Sequence, residues 1–298
     1  RTPGNSVNFI SLVGSDKLVA GGSGSSLATF DVASEAAVCK YSPASNVNFI
    51  YYDAAANQMY TCGPAKVQVW DISSSDPIHT FDLAYEGLCV AADEKNIYCG
   101  GTNSHLTVWS KNFNDPNDAY TYTLEPKSNV QYICTTKARV FITGGTNSSL
   151  QVWNNDECEL LQTLEPAANV NCIALSTCGN YVYTGETNQT FQVWNLSSGQ
   201  LTLQASEITE GDILFIAVSS PYFYAGGTSN KISVWKEGPT PELVTSLQTR
   251  TNLNCIAVSE DRIYTSGGQN WLQILSKNLQ SSGIELTISE EAEKDRSC

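Results

Sequence analysis

One segment recurs seven times along the 298 residues, and this recurrence limits the possible folds more than any single motif does. NVQYICTTKARVFITGGTNSSLQVWN from Asn129 aligns with NVNCIALSTCGNYVYTGETNQTFQVWN from Asn169, with DILFIAVSSPYFYAGGTSNKISVWK from Asp212 and with NLNCIAVSEDRIYTSGGQNWLQILS from Asn252. Earlier copies begin at Ser6, Asn46 and Glu86. The large residue closing each copy falls at Phe30, Trp70, Trp109, Trp153, Trp194, Trp235 and Leu275. The gaps are 40, 39, 44, 41, 41 and 40 residues, the period of a four-stranded propeller blade. Five of the six tryptophans stand on this marker, which gives them an equivalent structural place in each copy.

Each copy reads as four short strands: an apolar run such as VNCIALS, an aromatic or β-branched run such as YVYTG, an alternating run such as FQVWN, and a weaker one such as LLQTLEP. Between the second and third strands, the recurring GGTN supplies glycines for positive φ and an asparagine (Asn103, Asn147, Asn188, Asn230, Asn270) able to bond its own turn. No dozen residues carry helical apolar spacing. The expected fold class is therefore all-β.

The period, the endings Trp70-Asp71, Trp153-Asn154 and Trp194-Asn195, and the Gly-rich turn before them resemble the WD-repeat (WD40) family over nearly the whole chain. The resemblance implies a seven-bladed β-propeller of four-stranded antiparallel blades. Its divisions would be 1–45, 46–84, 85–127, 128–167, 168–210, 211–250 and 251–289, with an acidic tail at 290–298. Members usually carry a Gly-His pair before the first strand and an Asp in the turn, bonded through a Ser to the Trp. This chain has two histidines, His79 on a loop or outer strand and His105 in a hairpin turn, and neither precedes a first strand. The lost network is expected to be replaced by amides. The ring is expected to close by side-chain packing, because the first unit has four strands of its own and GIELTIS (283–289) completes the last. A seam of this kind has fewer backbone hydrogen bonds and should exchange its amide hydrogens faster.

The formal charge of −14, from 30 acidic and 16 basic residues, disfavours nucleic acid and anionic membranes as partners. No apolar run reaches the roughly 18–20 residues of a spanning helix, and the opening residues lack the layout of a secretory signal. The start at Arg1 and a sole methionine at Met59 suggest a fragment of a longer protein. Ten cysteines contain no CxxC pair, and Cys89, Cys172 and Cys255 share a slot with Phe9, Phe49, Tyr132 and Phe215, as buried thiols do. They are read as reduced, which implies a cytoplasmic protein. Glycosylation sequons at Asn147, Asn188 and Asn195 point the other way but are expected by chance in so Asn-, Ser- and Thr-rich a chain.

A nucleophilic triad lacks a suitably placed imidazole, zinc lacks paired Cys and His, and calcium lacks clustered carboxylates. GGSGSS from Gly21 has no lysine and no following helix, so it reads as a hairpin turn. No cofactor, metal or catalytic residue is expected. The first strands should line a central channel and place Asn8, Asn48, Gln131, Asn171 and Asn254 at one mouth. These amides either bond neighbouring backbone or form a ring that binds a peptide or sugar. Tyr85, Glu86, Asn129, Asn169, Asp212 and Asn252 mark the expected interaction face on the same end, and Trp271, outside the marker slot, is open to a partner-facing role. Glu86 and Asp212 lie across the ring, too far apart for acid–base chemistry. By family analogy the chain is a non-catalytic scaffold or adaptor that binds a protein or peptide. The alternatives are a carbohydrate-binding lectin and the substrate-recruiting domain of a larger enzyme such as a kinase or ubiquitin ligase.

Overall fold

The computed structural model describes residues 7–14, 16–23, 27–34, 37–112, 119–123, 128–136, 140–197, 199–249, 251–267, 271–280 and 283–290. Ser6, Asn270, the Trp271 side chain and the tail beyond residue 290 lie outside the described residues.

The first sheet is β1 (Val7–Val13), β2 (Lys17–Gly22), β3 (Leu27–Asp31) and β4 (Ala37–Tyr41). The second contains β5 (Phe49–Asp53), β6 (Gln58–Asp71), β7 (Pro77–Ala92), β8 (Asn96–Gly101), β9 (His105–Ser110) and β10 (Ala119–Thr123). Next come β11 (Val130–Thr135), β12 (Val140–Gly145), β13 (Ser149–Asn154) and β14 (Leu160–Leu164), then β15 (Val170–Leu175), β16 (Tyr181–Glu186), β17 (Thr190–Ser197) and β18 (Gln200–Ile208). The fifth sheet is β19 (Ile213–Ser219), β20 (Tyr222–Gly227), β21 (Lys231–Lys236) and β22 (Leu243–Gln248). The sixth is β23 (Leu253–Val258), β24 (Arg262–Gly267), β25 (Trp271–Gln280) and β26 (Gly283–Glu290).

This corrects the expected seven separate four-stranded blades. Among the described residues the all-β propeller has six sheets, five of four strands and one of six. The physical reason is the 16-residue strand β7. Its first half pairs with β6 from Pro77 to Glu86, and its second half pairs with β8 from Gly87 to Ala92. The second and third sequence units are thus joined through one unbroken extended backbone.

Inner strands pack side by side around the channel, and β23 returns to β1. Among the described residues no strand is shared across that seam; Cys255 Sγ donates to the Ile10 carbonyl at 3.2 Å and Arg262 Nη1 to the Val32 carbonyl at 3.2 Å. The marker tryptophans are buried and pack on rings of adjoining strands: Tyr41 on Trp70 at 5.4 Å, Phe81 on Trp109 at 4.9 Å, Phe191 on Trp235 at 4.8 Å.

Three of their indole N–H groups are satisfied by threonines of the second strand, where amides were expected. Trp70 Nε1 donates to Thr61 Oγ1 at 2.9 Å, Trp153 to Thr143 at 3.3 Å and Trp194 to Thr184 at 3.0 Å. In the fifth sheet Ala225 occupies the threonine's place, and Trp235 Nε1 has no partner among the described residues.

The turn glycines also play a different part from the one expected. Positive φ falls on Asn103, Asn147 and Asn230 themselves, and on Gln189 in the fourth sheet. The glycines are needed for close approach: a Cβ on Gly145 would lie 1.7 Å from the Asn129 carbonyl oxygen, and one on Gly227 1.9 Å from that of Asp212.

The fourth sheet has Glu186 at the equivalent position, and its carboxylate is buried. It accepts hydroxyl hydrogen bonds from Thr184 at 3.2 Å and Thr190 at 2.9 Å, extending the Trp194–Thr184 link into a four-residue chain. Burial pushes this carboxyl up to about 7 from an ordinary 4.5, against the downward pull of the two hydroxyls and the Ala168 N–H. A carboxyl raised by folding contributes stability that is complete below its unfolded value and is lost as pH rises through its folded one. Stability should therefore fall between about pH 4.5 and 7, by about 1–3 kcal/mol for this one group. Urea titrations at pH 5 and pH 8 would check this: Glu186→Gln should match the parent chain at the lower pH and exceed it at the higher.

Candidate functional site: two mouths of one channel

The first strands begin at one mouth of the channel, beside the turns between second and third strands, and end at the other. At the first mouth, a β-bulge interrupts β1, β7, β11, β15, β19 and β23 immediately after their opening ladder pair. The bulged residues are Asn8, Leu88, Gln131, Asn171, Leu214 and Asn254, which is the amide slot seen in the sequence. A bulge lifts a residue out of the ladder and re-aims its side chain. Asn171 Nδ2 accordingly donates to the Ile213 carbonyl at 3.0 Å. Asn48, just ahead of β5, donates to the Gly87 carbonyl at 2.9 Å and to Glu86 Oε1 at 3.2 Å. These two amides span to the next unit's first strand. Gln131 is half-buried and Asn254 exposed.

The expected interaction face divides in a similar way. Asn129 Oδ1 accepts the N–H of left-handed Asn103 at 3.0 Å, and Asn169 Oδ1 that of Ser148 at 3.1 Å, so both fasten the preceding unit's turn. The Asp212 N–H donates to Thr228 Oγ1 at 2.9 Å. Tyr85 is buried, its hydroxyl donating to the Cys99 carbonyl at 2.9 Å and accepting from the Thr107 hydroxyl at 2.8 Å, with the ring stacked on His105. Glu86 and Asn252 are exposed. His79 lies on the outer half of β7 against Phe81, and His105 opens β9 after the turn. Losing an amide–carbonyl bond between units should cost about 1 kcal/mol, so Asn48→Ala and Asn171→Ala should each lower the melting temperature by a few degrees. Thermal unfolding followed by circular dichroism gives the answer.

Midway along the channel four rings converge: Phe9 on Phe49 at 4.1 Å, Phe49 on Tyr132 at 5.0 Å, and Phe215 on Phe9 at 5.4 Å. Cys89, Cys172 and Cys255 fill the remaining places of this slot and are fully buried. No disulfide is formed among the eight cysteines with described side chains. Beyond this waist a cavity of about 400 Å³ opens toward the second mouth, between Leu12, Tyr52, Thr135, Leu175, Val218 and Val258. Sequence reasoning missed this site, because it drew attention to repeated polar residues while the cavity is lined by the variable apolar ends of the first strands. On one side, Tyr51 and Thr135 both donate to the Ala92 carbonyl, at 3.0 and 3.2 Å, bridging over β7. Burial pushes the Tyr51 phenol up to about 12.

Two repeat-equivalent lysines near this end have different partners. Lys111 Nζ lies 5.5 Å from the centre of the Tyr60 ring and bonds Asp53 Oδ2 at 2.6 Å. Lys277 lies 5.9 Å from the Tyr224 ring, but Ser219 stands where the aspartate was, accepting at 3.2 Å, with the Ser259 carbonyl at 2.9 Å. Burial lowers the Lys277 ammonium below its ordinary value. Ser219→Asp should recreate the pair and stabilise by about 1–2 kcal/mol, and the gain should vanish in combination with Lys277→Met. A double-mutant cycle in urea measures it.

Among the described residues, no group of three or more His, Cys, Asp or Glu is placed to hold a metal ion, and no helix is long and apolar enough to cross a membrane. Residues 158–195 match the family model of the WD domain, G-beta repeat. That segment runs from the turn before β14 through the Trp194 strand, the unit in which the Trp–Thr–Glu–Thr chain is complete. With the propeller arrangement of the sheets, the match supports a WD-repeat β-propeller. A comparison with curated proteins gives no match. Propellers of this kind generally serve as protein-interaction scaffolds and are typically non-catalytic.

Proposed function

We propose that this chain is a non-catalytic platform that receives a protein or peptide partner at a mouth of its channel. The observation that carries this reading is the cavity beyond the aromatic waist, about 400 Å³ in volume, open to the surface and lined by both aliphatic and polar groups. Cavities of a few hundred Å³ with apolar walls and a few polar groups are the usual form of a binding site. The strands that hold it are cross-linked unit to unit, so a partner would meet a preorganised surface and lose little affinity to ordering.

Affinity capture from the source cell tests the proposal, using the parent chain and two variants. One carries Leu175→Arg at the cavity; the other carries Glu86→Ala, Asn129→Ala, Asn169→Ala, Asp212→Ala and Asn252→Ala at the opposite mouth. Loss of the same protein from one variant and its retention by the other supports the platform and assigns the mouth. An identical captured set from all three chains overturns it.

A further inference from the structure

We infer that the cavity mouth takes a basic, extended segment of a partner protein and buries one of its apolar side chains against Leu12, Leu175, Val218 and Val258; this rests on the platform reading above. The first reason is shape. The waist of Phe9, Phe49, Tyr132 and Phe215 forms the floor, and the aliphatic side chains of Leu12, Leu175, Val218 and Val258 share the wall with polar groups that include Ser11, Tyr52 and Thr135. An aliphatic or aromatic side chain gains by covering the aliphatic part of that wall.

The second reason is charge. The turns after the first strands and those after the third strands open on this same end. They carry exposed carboxylates at Asp16, Glu94 and Glu260, and at Asp76, Glu157 and Glu242. Several cations of this end are already engaged. Lys95 pairs with Asp156 and Lys111 with Asp53, Arg262 donates to the Val32 carbonyl, and Lys277 is held by Ser219 and Ser259. None of those six carboxylates has an ion-pair partner among the described residues. An acidic field around an open cavity with aliphatic side chains in its wall selects a cationic chain with an apolar anchor, and it speeds encounter as well as favouring the bound state.

The third reason is contrast with the opposite mouth. There Asn48, Asn129, Asn169 and Asn171 are bonded within the ring, and their hydrogen bonds would have to be broken before they could serve a ligand.

Fluorescence anisotropy with three labelled peptides tests this. The first has a Leu-Phe pair between lysines, the second the same pair between glutamates, and the third alanines in place of the pair. The lysine peptide with the Leu-Phe pair should bind at least about tenfold more tightly than either relative, and should weaken as salt rises. Leu175→Arg should abolish its binding. Because that substitution could disturb the fold, the exposed pair Glu94→Lys with Glu260→Lys provides a second arm and should weaken binding by about tenfold. Equal affinity for the three peptides, or binding unchanged in the charge-reversed variant, overturns the inference. The platform reading would still stand if capture assigned a partner to the amide mouth.

Discussion

Replacing Trp70 by alanine should cost about 3–5 kcal/mol, a large share of what holds a domain of this kind together. Trp70 is fully buried, its ring meets Tyr41 edge-on at 5.4 Å, and its N–H is the donor to Thr61 Oγ1. Alanine would leave an indole-sized void between the first two units and a buried hydroxyl without its donor. Trp70→Phe separates the two effects: it keeps most of the packing and should cost about 1–2 kcal/mol, chiefly through the orphaned Thr61. Urea unfolding followed by fluorescence of the remaining tryptophans measures both. A Trp70→Ala chain as stable as the parent would show that the marker residues are not what joins the units.

Phe49→Ala should have an effect of similar size, about 3–5 kcal/mol, with a second consequence for the channel. Phe49 is the centre of the waist, in contact with both Phe9 and Tyr132. Its removal joins the 400 Å³ cavity to the space toward the amide mouth, so the floor against which an apolar side chain would rest is lost. A small apolar probe such as benzene should rescue part of the stability in Phe49→Ala and none in the parent chain, measured as a rise in melting temperature at saturating probe.

The repeat period, the strand order within a unit and the places of the tryptophans could be read from the chain, because each depends on residue spacing that survives substitution. The amide slot was legible as a recurrence but its cause was not. A bulge is a register event between two strands, and nothing in VNCIALS states that Asn171 is skipped by the ladder. The count of sheets failed for a related reason. Units two and three meet at DLAYEGL, where β7 continues, while units five and six meet at ITEGDIL, which also lacks a Pro and yet separates β18 from β19, so the residue types at a join do not announce the difference. The turn glycines were noticed for the wrong property, since what decides their identity is the Asn129 or Asp212 carbonyl oxygen pressed against them. Glu186 shows the limit of reading by alignment: it stands in a glycine's place and contributes a buried carboxyl that the other units lack.

Strand β7 also determines how the ring would bear load. A pull that separates most neighbouring units works against side chains and scattered hydrogen bonds, such as the Cys255 thiol on Ile10 at the seam. Between the second and third units the same pull runs along a single extended backbone, its first half bonded to β6 and its second half to β8, which acts as a tie bar. Under tension the ring should part at its seam first, while the units on either side of β7 move as one body.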